Sequence, residues 1–189
     1  MTLLEERPTA ADGQGTAPWV RIRPYESADG ELIEAMSARL STHSLYQRFF
    51  TGTPRLPRMY LAALAKTDHH DREALLAVGG EAVCGEALGG SVIGIAEYAR
   101  DPAAPMRADL AVLVADDWHR RGIGRRLVTA LAALAGSRGI SDFRADTLTT
   151  NRPALAAIAT LWPAVRADRD GATARFTLPV RDLGGYRTR

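Results

Sequence analysis

The sequence predicts a single α/β domain built around one mixed sheet with helices on its faces. Segments with alternating or continuous apolar residues, which are typical of strands, are separated by segments in which apolar residues recur at helical spacing. The 189 residues, 46% of them hydrophobic, suffice for one sizeable core but not for two full domains. The order of the elements is one strand, two or three helices, three strands, then helix, strand, helix and strand, which indicates an α/β architecture.

The first half of the chain contains a leader, one strand and the first helices. Residues 1–18 are rich in Thr, Ala, Gly and Glu and lack periodicity, so we expect a disordered leader. Residues 19–23, WVRIR, alternate apolar and polar side chains as a half-buried strand does, and we expect the folded domain to cover residues 19–181. Helical spacing of apolar residues then predicts helices over residues 32–40, 45–50 and 57–65.

The second half of the chain predicts most of the sheet. Three apolar strands, at residues 74–78, 91–99 and 108–114, are expected to form an antiparallel meander. The Gly-rich segment between the first two of them, residues 79–90, suggests a hairpin turn or a flexible excursion. A basic tail is expected to follow the domain at residues 182–189. The remaining predicted elements are a helix ending near Gly139, a strand at 143–148, a helix at 153–161 and a strand at 172–180.

Composition argues against several classes of protein. No segment has the roughly 18 uninterrupted apolar residues of a membrane span, and the N-terminus lacks the layout of a signal peptide, so we expect a cytoplasmic protein without membrane partners. The single cysteine, Cys84, excludes an internal disulfide and a cysteine-based metal site, and no metal is expected. The net charge is only +2 and no basic stripe with interleaved aromatic residues is present, which argues against nucleic acid as a partner.

The most informative segment is WHRRGIGRR, residues 118–126, which joins an apolar strand to a predicted helix. Glycines let backbone amides approach a ligand closely, and a helix N-terminus adds partial positive charge to its unpaired donors. Four arginines at this helix end oppose the helix dipole, and a bound polyanion would offset that cost. The segment therefore predicts a pyrophosphate-binding turn, the alternative being a strand-to-helix turn solvated by arginines. The glycine patterns of dinucleotide-binding turns and phosphate-binding loops are missing.

Residues 119–124, HRRGIG, resemble the core signature of the GNAT acetyltransferases: Gln or Arg, two variable residues, Gly, a variable residue, then Gly or Ala. His119 stands at the first position. Four further segments resemble the catalytic domain of the bacterial protein lysine acetyltransferases, and the likeness spans about residues 20–180. It implies the GNAT fold, a mixed and mainly antiparallel central sheet flanked by helices. The four segments are LYQRFF at 45–50, RD at 100–101, ADLAVLV at 108–114 and TNRP at 150–153.

The resemblance implies acetyl-CoA as co-substrate, lying where the strands at 108–114 and 143–148 splay apart. Its pantetheine arm would add to the first of these strands, whose backbone amide would also stabilise the developing oxyanion. Asn151 matches a family Asn that commonly contacts CoA, and it is equally suited to cap the following helix. The predicted cofactor-binding residues are Val112, Leu113, Val114, His119, Arg120, Arg121, Gly122, Ile123, Gly124, Arg125 and Asn151.

Asp109 is the candidate general base, because an amine acceptor is mostly protonated at neutral pH and must lose a proton before it attacks. It lies in an otherwise apolar strand, where burial would raise the pKa of its carboxyl group. In the lysine acetyltransferases that this segment resembles, the matching residue is a Glu that acts as the base. The alternative is a solvated Asp109 at the strand entrance, and Glu97 on the adjacent strand is then the fallback base.

The acceptor is not fixed by these residues. Many GNAT enzymes use a Tyr as general acid at the position of Ile158, so here the thiolate would leave without a dedicated acid. The resemblance implies a protein lysine as acceptor, an acyl-CoA synthetase being one possible partner protein. A small-molecule amine acetyltransferase and a weakly catalytic acyl-CoA-binding sensor are the alternatives.

Overall fold

The computed structural model describes residues 17–83, 86–87 and 90–183, in which it contains eight strands and five α-helices. The strands are β1 (Ala17–Pro24), β2 (Arg72–Val83), β3 (Glu86–Ala87), β4 (Ser91–Asp101), β5 (Ala104–Val114), β6 (Asp142–Leu148), β7 (Asp168–Asp170) and β8 (Thr173–Pro179). The helices are α1 (Gly30–Ser37), α2 (Thr42–Phe49), α3 (Arg58–Leu64), α4 (Ile123–Ser137) and α5 (Arg152–Leu161). Among these helices, none has the length and hydrophobicity of a membrane-spanning segment.

All strands belong to one sheet in the order β1-β2-β4-β5-β6-β8-β7, with β3 paired to β2. Every pairing is antiparallel except that of β5 with β6, which is parallel. The parallel pairing runs only from Arg107 opposite Asp142 to Asp109 opposite Arg144, although both strands continue. The sheet therefore opens near its centre. The predicted α/β class and the mixed, mainly antiparallel sheet are confirmed.

The helices cover both faces of this sheet. A side chain at Gly94 of β4 would contact Leu127 of α4, whereas Glu97 of β4 forms an ion pair with Arg48 of α2. Since successive strand residues point to opposite faces, these two residues place α4 and α2 on opposite sides. Helix α4 is held by an apolar face whose buried residues include Leu127 and Leu131. We call the side of the sheet that carries Glu97 the acceptor face.

The Gly-rich segment after residue 78 differs in part from the sequence prediction. Strand β2 does not end there but continues to Val83, and it pairs with β1 as far as Ala17 opposite Ala82. Gly79 permits this close packing, because a Cβ there would lie 2.7 Å from Ile93 Cδ1 and 3.0 Å from the Trp19 carbonyl oxygen. Residues 1–16 of the predicted leader, Cys84 and residues 184–189 of the predicted tail lie outside the described residues. Residues 17–18, predicted as part of the leader, already belong to β1, where they pair with β2, so that boundary was wrong.

Candidate active site

The turn before α4 is shaped by two residues with left-handed backbone conformation, Arg120 (φ 59°) and Gly122 (φ 76°). Gly122 is the N-cap of α4, and the amides of the first helical turn that follows have no partner within the helix. Asp116, which lies between β5 and the turn, connects this segment to α2. Its carboxylate accepts hydrogen bonds from the Ser41 amide (3.0 Å) and the Ser44 hydroxyl (2.7 Å). The turn thus presents a fixed set of backbone donors at a helix N-terminus, which suits an anion.

Gly124 leaves open space beside this turn. A Cβ added there would lie 3.9 Å from Val112 Cγ1 and 4.0 Å from Val114 Cγ2, which is ordinary contact, and the residue has no positive φ. Neither backbone conformation nor packing therefore requires glycine at this position. The space above Gly124 opens between α4 and β5.

The four arginines of the turn have different surroundings. Arg120 and Arg125 line the groove in front of the turn, whereas Arg121 stacks on the Trp118 ring, 4.8 Å from its centroid. Arg126 donates to the Val20 carbonyl at 3.2 Å. Two of the four arginines, rather than all of them, face the candidate anion site.

Main-chain groups of β5 face the opening between β5 and β6. The Ala115 amide donates to Ile93 of β4, so the amides and carbonyls of Val112 and Val114, which alternate with it, point away from β4. One of these groups is already engaged: His119 Nε2 donates to the Val114 carbonyl at 2.9 Å. His119, one of the predicted cofactor-binding residues, therefore directs this ring nitrogen at the strand and links the turn to it.

Asn151 caps α5. Its side-chain oxygen accepts a hydrogen bond from the Ala154 amide at 3.1 Å, and Pro153 lies in the first turn. The residue also lines the groove, so the cap leaves contact with a ligand open. Leu113 and Ile123 are buried, 5% and 3% exposed, and belong to the core beneath the groove.

The groove that these elements enclose has a volume of about 1320 Å³, more than most drug-sized ligands need. One part lies between β5, the α4 turn and α5, and contains the glycines and Asn151. The other part lies over the acceptor face and is lined from α2, α3, β2, β4 and β5. The structure thus joins a candidate cofactor cleft to a second compartment through the opening in the sheet.

Glu97 lies in the second compartment. Its side chain is 22% exposed, and Arg48 Nη2 donates to its Oε1 at 2.6 Å. Burial raises the pKa of the Glu97 carboxyl group, and the charges of Arg48 and Arg72 oppose this shift without cancelling it. A carboxyl group with a raised pKa beside a cleft is suited to accept and return protons.

Asp109 has a different environment from the buried one that the apolar strand suggested. Its side chain is 56% exposed and accepts two hydrogen bonds from Arg144, at 2.7 Å from Nε and 3.0 Å from Nη2. The expected burial in an apolar strand is therefore wrong, because the parallel pairing of β5 with β6 sets an arginine directly opposite this residue. The alternative of a solvated Asp109 describes the observed geometry better.

Three residues that the sequence did not mark as functional also line this compartment: Arg48, Tyr60 and Arg144. Tyr60 is 8% exposed, its hydroxyl interacts with the Glu97 carboxylate but makes no well-aligned hydrogen bond to any described residue, and burial raises its pKa well above the usual range. Arg48 lies over the rings of Phe49 and Tyr60, 4.8 Å and 5.4 Å from their centroids. These partners come from different elements, and only the Arg of LYQRFF carried any signal in the sequence.

Known proteins share this arrangement of elements. The acetyltransferase (GNAT) family model matches residues 39–160. The chain is 31% identical over 136 residues to Acetyltransferase Pat of Mycolicibacterium smegmatis, which is 72% of this chain but only 38% of that protein. The structure of the present chain is similar to that of the GNAT domain of S. lividans PAT, with a TM-score of 0.73. The two are 27% identical, and the match covers 85% of this chain and 90% of that one.

The structure of yncA from Salmonella typhimurium with its cofactor acetyl-CoA is similar at a TM-score of 0.64, covering 85% of this chain and 94% of that chain. At 15% identity this second likeness shows the fold alone. The family model covers more than half of the chain and includes the turn, Glu97 and Asp109. The protein therefore belongs to the GNAT family of acetyltransferases, is related to the bacterial Pat proteins, and is an acyltransferase.

Proposed function

We propose that the protein is an acetyl-CoA-dependent N-acetyltransferase that modifies a lysine side chain of another protein. The observation that carries this proposal is the opening between β5 and β6, which starts beside Asp109 and leads from the glycine turn to the acceptor face. An acyl donor held in the cleft and an amine on the acceptor face would meet there.

The cofactor side of the groove carries hydrogen-bond donors that suit the phosphate groups and the pantetheine arm of CoA. The amides at the start of α4, with Arg120 and Arg125, supply donors and positive charge for a pyrophosphate. The amide and carbonyl of Val112 offer an extended pantetheine arm the pattern of a neighbouring strand. The space above Gly124 would admit the chain between these two contacts.

The acceptor side offers two carboxylates to an amine. Asp109 and Glu97 share the acceptor face and both line the groove, each paired with an arginine. A carboxylate on this face would receive the ammonium proton, which frees the nitrogen lone pair for attack on the thioester. A β5 amide facing the opening would donate to the oxyanion that develops. The resemblance of the sequence to the bacterial protein lysine acetyltransferases favours a protein lysine over a free amine.

The test is incubation with acetyl-CoA and a set of candidate acceptor proteins, an acyl-CoA synthetase among them, with acetyl-lysine mapped by mass spectrometry. We expect thiol release and labelling of particular lysines, both lost in a Gly124→Glu variant that controls for spontaneous acetylation. Thiol release with free amines and no protein labelling would identify a small-molecule acetyltransferase. Binding of acetyl-CoA without thiol release across both panels would identify a sensor.

A further inference from the structure

We propose that Glu97, in a half-buried subsite with Tyr60 and Arg48, is the catalytic residue that receives the acceptor amine and takes its proton, while Asp109 lies outside this subsite. The inference rests on the proposed acetyl transfer to an amine. It assigns the base to a residue that the signature of the family does not mark.

The register of β4 and β5 places the two carboxylates close to the same point. Glu97 is opposite Ala111 and Asp109 is opposite Ala99, so the carboxylates are diagonal neighbours on one face of the sheet. Diagonal neighbours have Cα atoms about 7–8 Å apart. Ala99 and Ala111 lie beside the two carboxylates on the same face, and their small side chains leave room above the sheet for an amine. An amine in this site would therefore meet two carboxylates, and the surroundings of each determine which of them accepts the proton.

Arg144 holds Asp109. Both oxygens of this carboxylate are engaged by the guanidinium, and the side chain is more than half exposed. The guanidinium already engages both oxygens, so an ammonium entering there would compete with Arg144 for them. Asp109 with Arg144 is therefore placed to shape the entrance rather than to take the proton.

Glu97 has one engaged oxygen and one available oxygen. Arg48 binds Oε1, and no described side chain makes a hydrogen bond to Oε2. Arg48 itself is held over two aromatic rings, so it fixes the direction of the carboxylate. The charged and titratable groups that face Glu97 are Arg48 from α2, Tyr60 from α3, Arg72 from β2 and, diagonally, Asp109 from β5.

Tyr60 lies beside Glu97 in the same subsite. Its hydroxyl is buried at 8% exposure, lines the groove and interacts with the Glu97 carboxylate without forming a well-aligned hydrogen bond. A buried hydroxyl without a well-formed hydrogen bond is unfavourable. An amine bound to Glu97 Oε2 would bring an N–H donor to this phenol oxygen, and this cost would be offset when the acceptor binds.

The proton balance is complete without another reactant. The ammonium gives one proton to Glu97, and the freed lone pair forms the C–N bond at the thioester carbonyl carbon. When the C–S bond breaks, the second proton on nitrogen passes to the leaving sulfur and CoA departs as the thiol. Glu97 then releases its proton to solvent, so that one proton is released per acetyl group transferred.

Three single variants, compared with the unchanged protein on a labelled acceptor over a range of pH, test this assignment. Glu97→Gln should lower kcat at least 100-fold at pH 7 while acetyl-CoA affinity stays the same. Its rate should then rise about tenfold per pH unit toward the pKa of free lysine, near 10.4. Asp109→Asn should change kcat less than about fivefold. Tyr60→Phe, which removes the buried hydroxyl beside Glu97, should raise the KM of the acceptor about tenfold.

Near-normal turnover in Glu97→Gln, or a loss in Asp109→Asn as large as that expected for Glu97→Gln, would overturn the assignment while acetyl transfer by the unchanged protein stands. An unchanged acceptor KM in Tyr60→Phe would remove Tyr60 from the subsite. If the unchanged protein binds acetyl-CoA and acetylates no amine, the proposed function itself fails. Retained acetyl-CoA affinity in each variant shows that a loss of turnover does not come from unfolding.

Discussion

At the scale of single residues, Gly124 is not required by the fold, but the absence of a side chain there suits the proposed ligand. The fold tolerates a side chain there, since the nearest atoms to an added Cβ are 3.9 Å and 4.0 Å away. Within a helix, glycine is less favourable than alanine by about 0.5–1 kcal/mol. The glycine therefore leaves space beside the turn that a bound ligand can occupy.

We expect Gly124→Glu to weaken acetyl-CoA binding at least 100-fold, because the new side chain fills the opening and brings negative charge to the pyrophosphate. Binding by calorimetry measures the effect. Ala133→Glu, which adds the same charge on an exposed position of the same helix, serves as control and should bind normally. Equal affinity in the two variants would show that the pyrophosphate is held elsewhere.

Asp109 shows which features of the site can be predicted from the sequence and which cannot. The apolar run around it correctly predicts a strand, and periodicity alone suggests a buried carboxylate. Its exposure depends on Arg144, which is 35 residues away along the chain and becomes its neighbour only through the β5–β6 register. Local patterns therefore locate the backbone of the site, whereas the partners that set its electrostatics come from tertiary structure.

At the scale of elements, the caps and turns fix where helices begin. Asn151 is the clearest case, because its side chain accepts the Ala154 amide while Pro153 occupies the first turn. Element positions follow local periodicity, and α5 and β6 each begin one residue before the predicted start. Strand β7 was not predicted, since Asp168–Asp170 is short, exposed and polar and is defined only by its pairing with β8.

Replacement of the cap should separate stability from ligand binding. We expect Asn151→Ala to lower the free energy of unfolding by about 1 kcal/mol, or about 2–4 °C in Tm. Asn151→Asp keeps an acceptor oxygen for the Ala154 amide and should stay close to the unchanged protein. Thermal unfolding without ligand measures both variants. Equal losses in the two would mean that the cap contributes little.

At the scale of the whole molecule, the opening between β5 and β6 divides the central sheet into two parts. Three strands on one side, β6, β8 and β7, connect to the rest through a pairing of three residue positions. Helix α4 joins β5 to β6 along the chain and packs against β2, β4 and β5 on the other face. A ligand lying in the opening would contact both parts, so binding and stability should be coupled.

We expect acetyl-CoA at about 100 times its dissociation constant to stabilise the folded protein by about 2.7 kcal/mol. For a chain of this size that corresponds to an increase in Tm of about 5–11 °C. Differential scanning calorimetry measures it, with ATP at the same concentration as a control for general polyanion effects. An equal increase with ATP would assign the effect to the arginines alone.

The opening between β5 and β6 also affects how the protein avoids self-association. Strand edges with unpaired amides and carbonyls are templates on which other chains can add. Beyond Asp109, this protein has two such edges, but they face each other inside the groove, with His119 covering one carbonyl. Helix α2 packs over both of these strands, and α4 packs over β5 on the opposite face. A protein of this fold can therefore keep unpaired strand edges for a small ligand without offering them to another copy of itself.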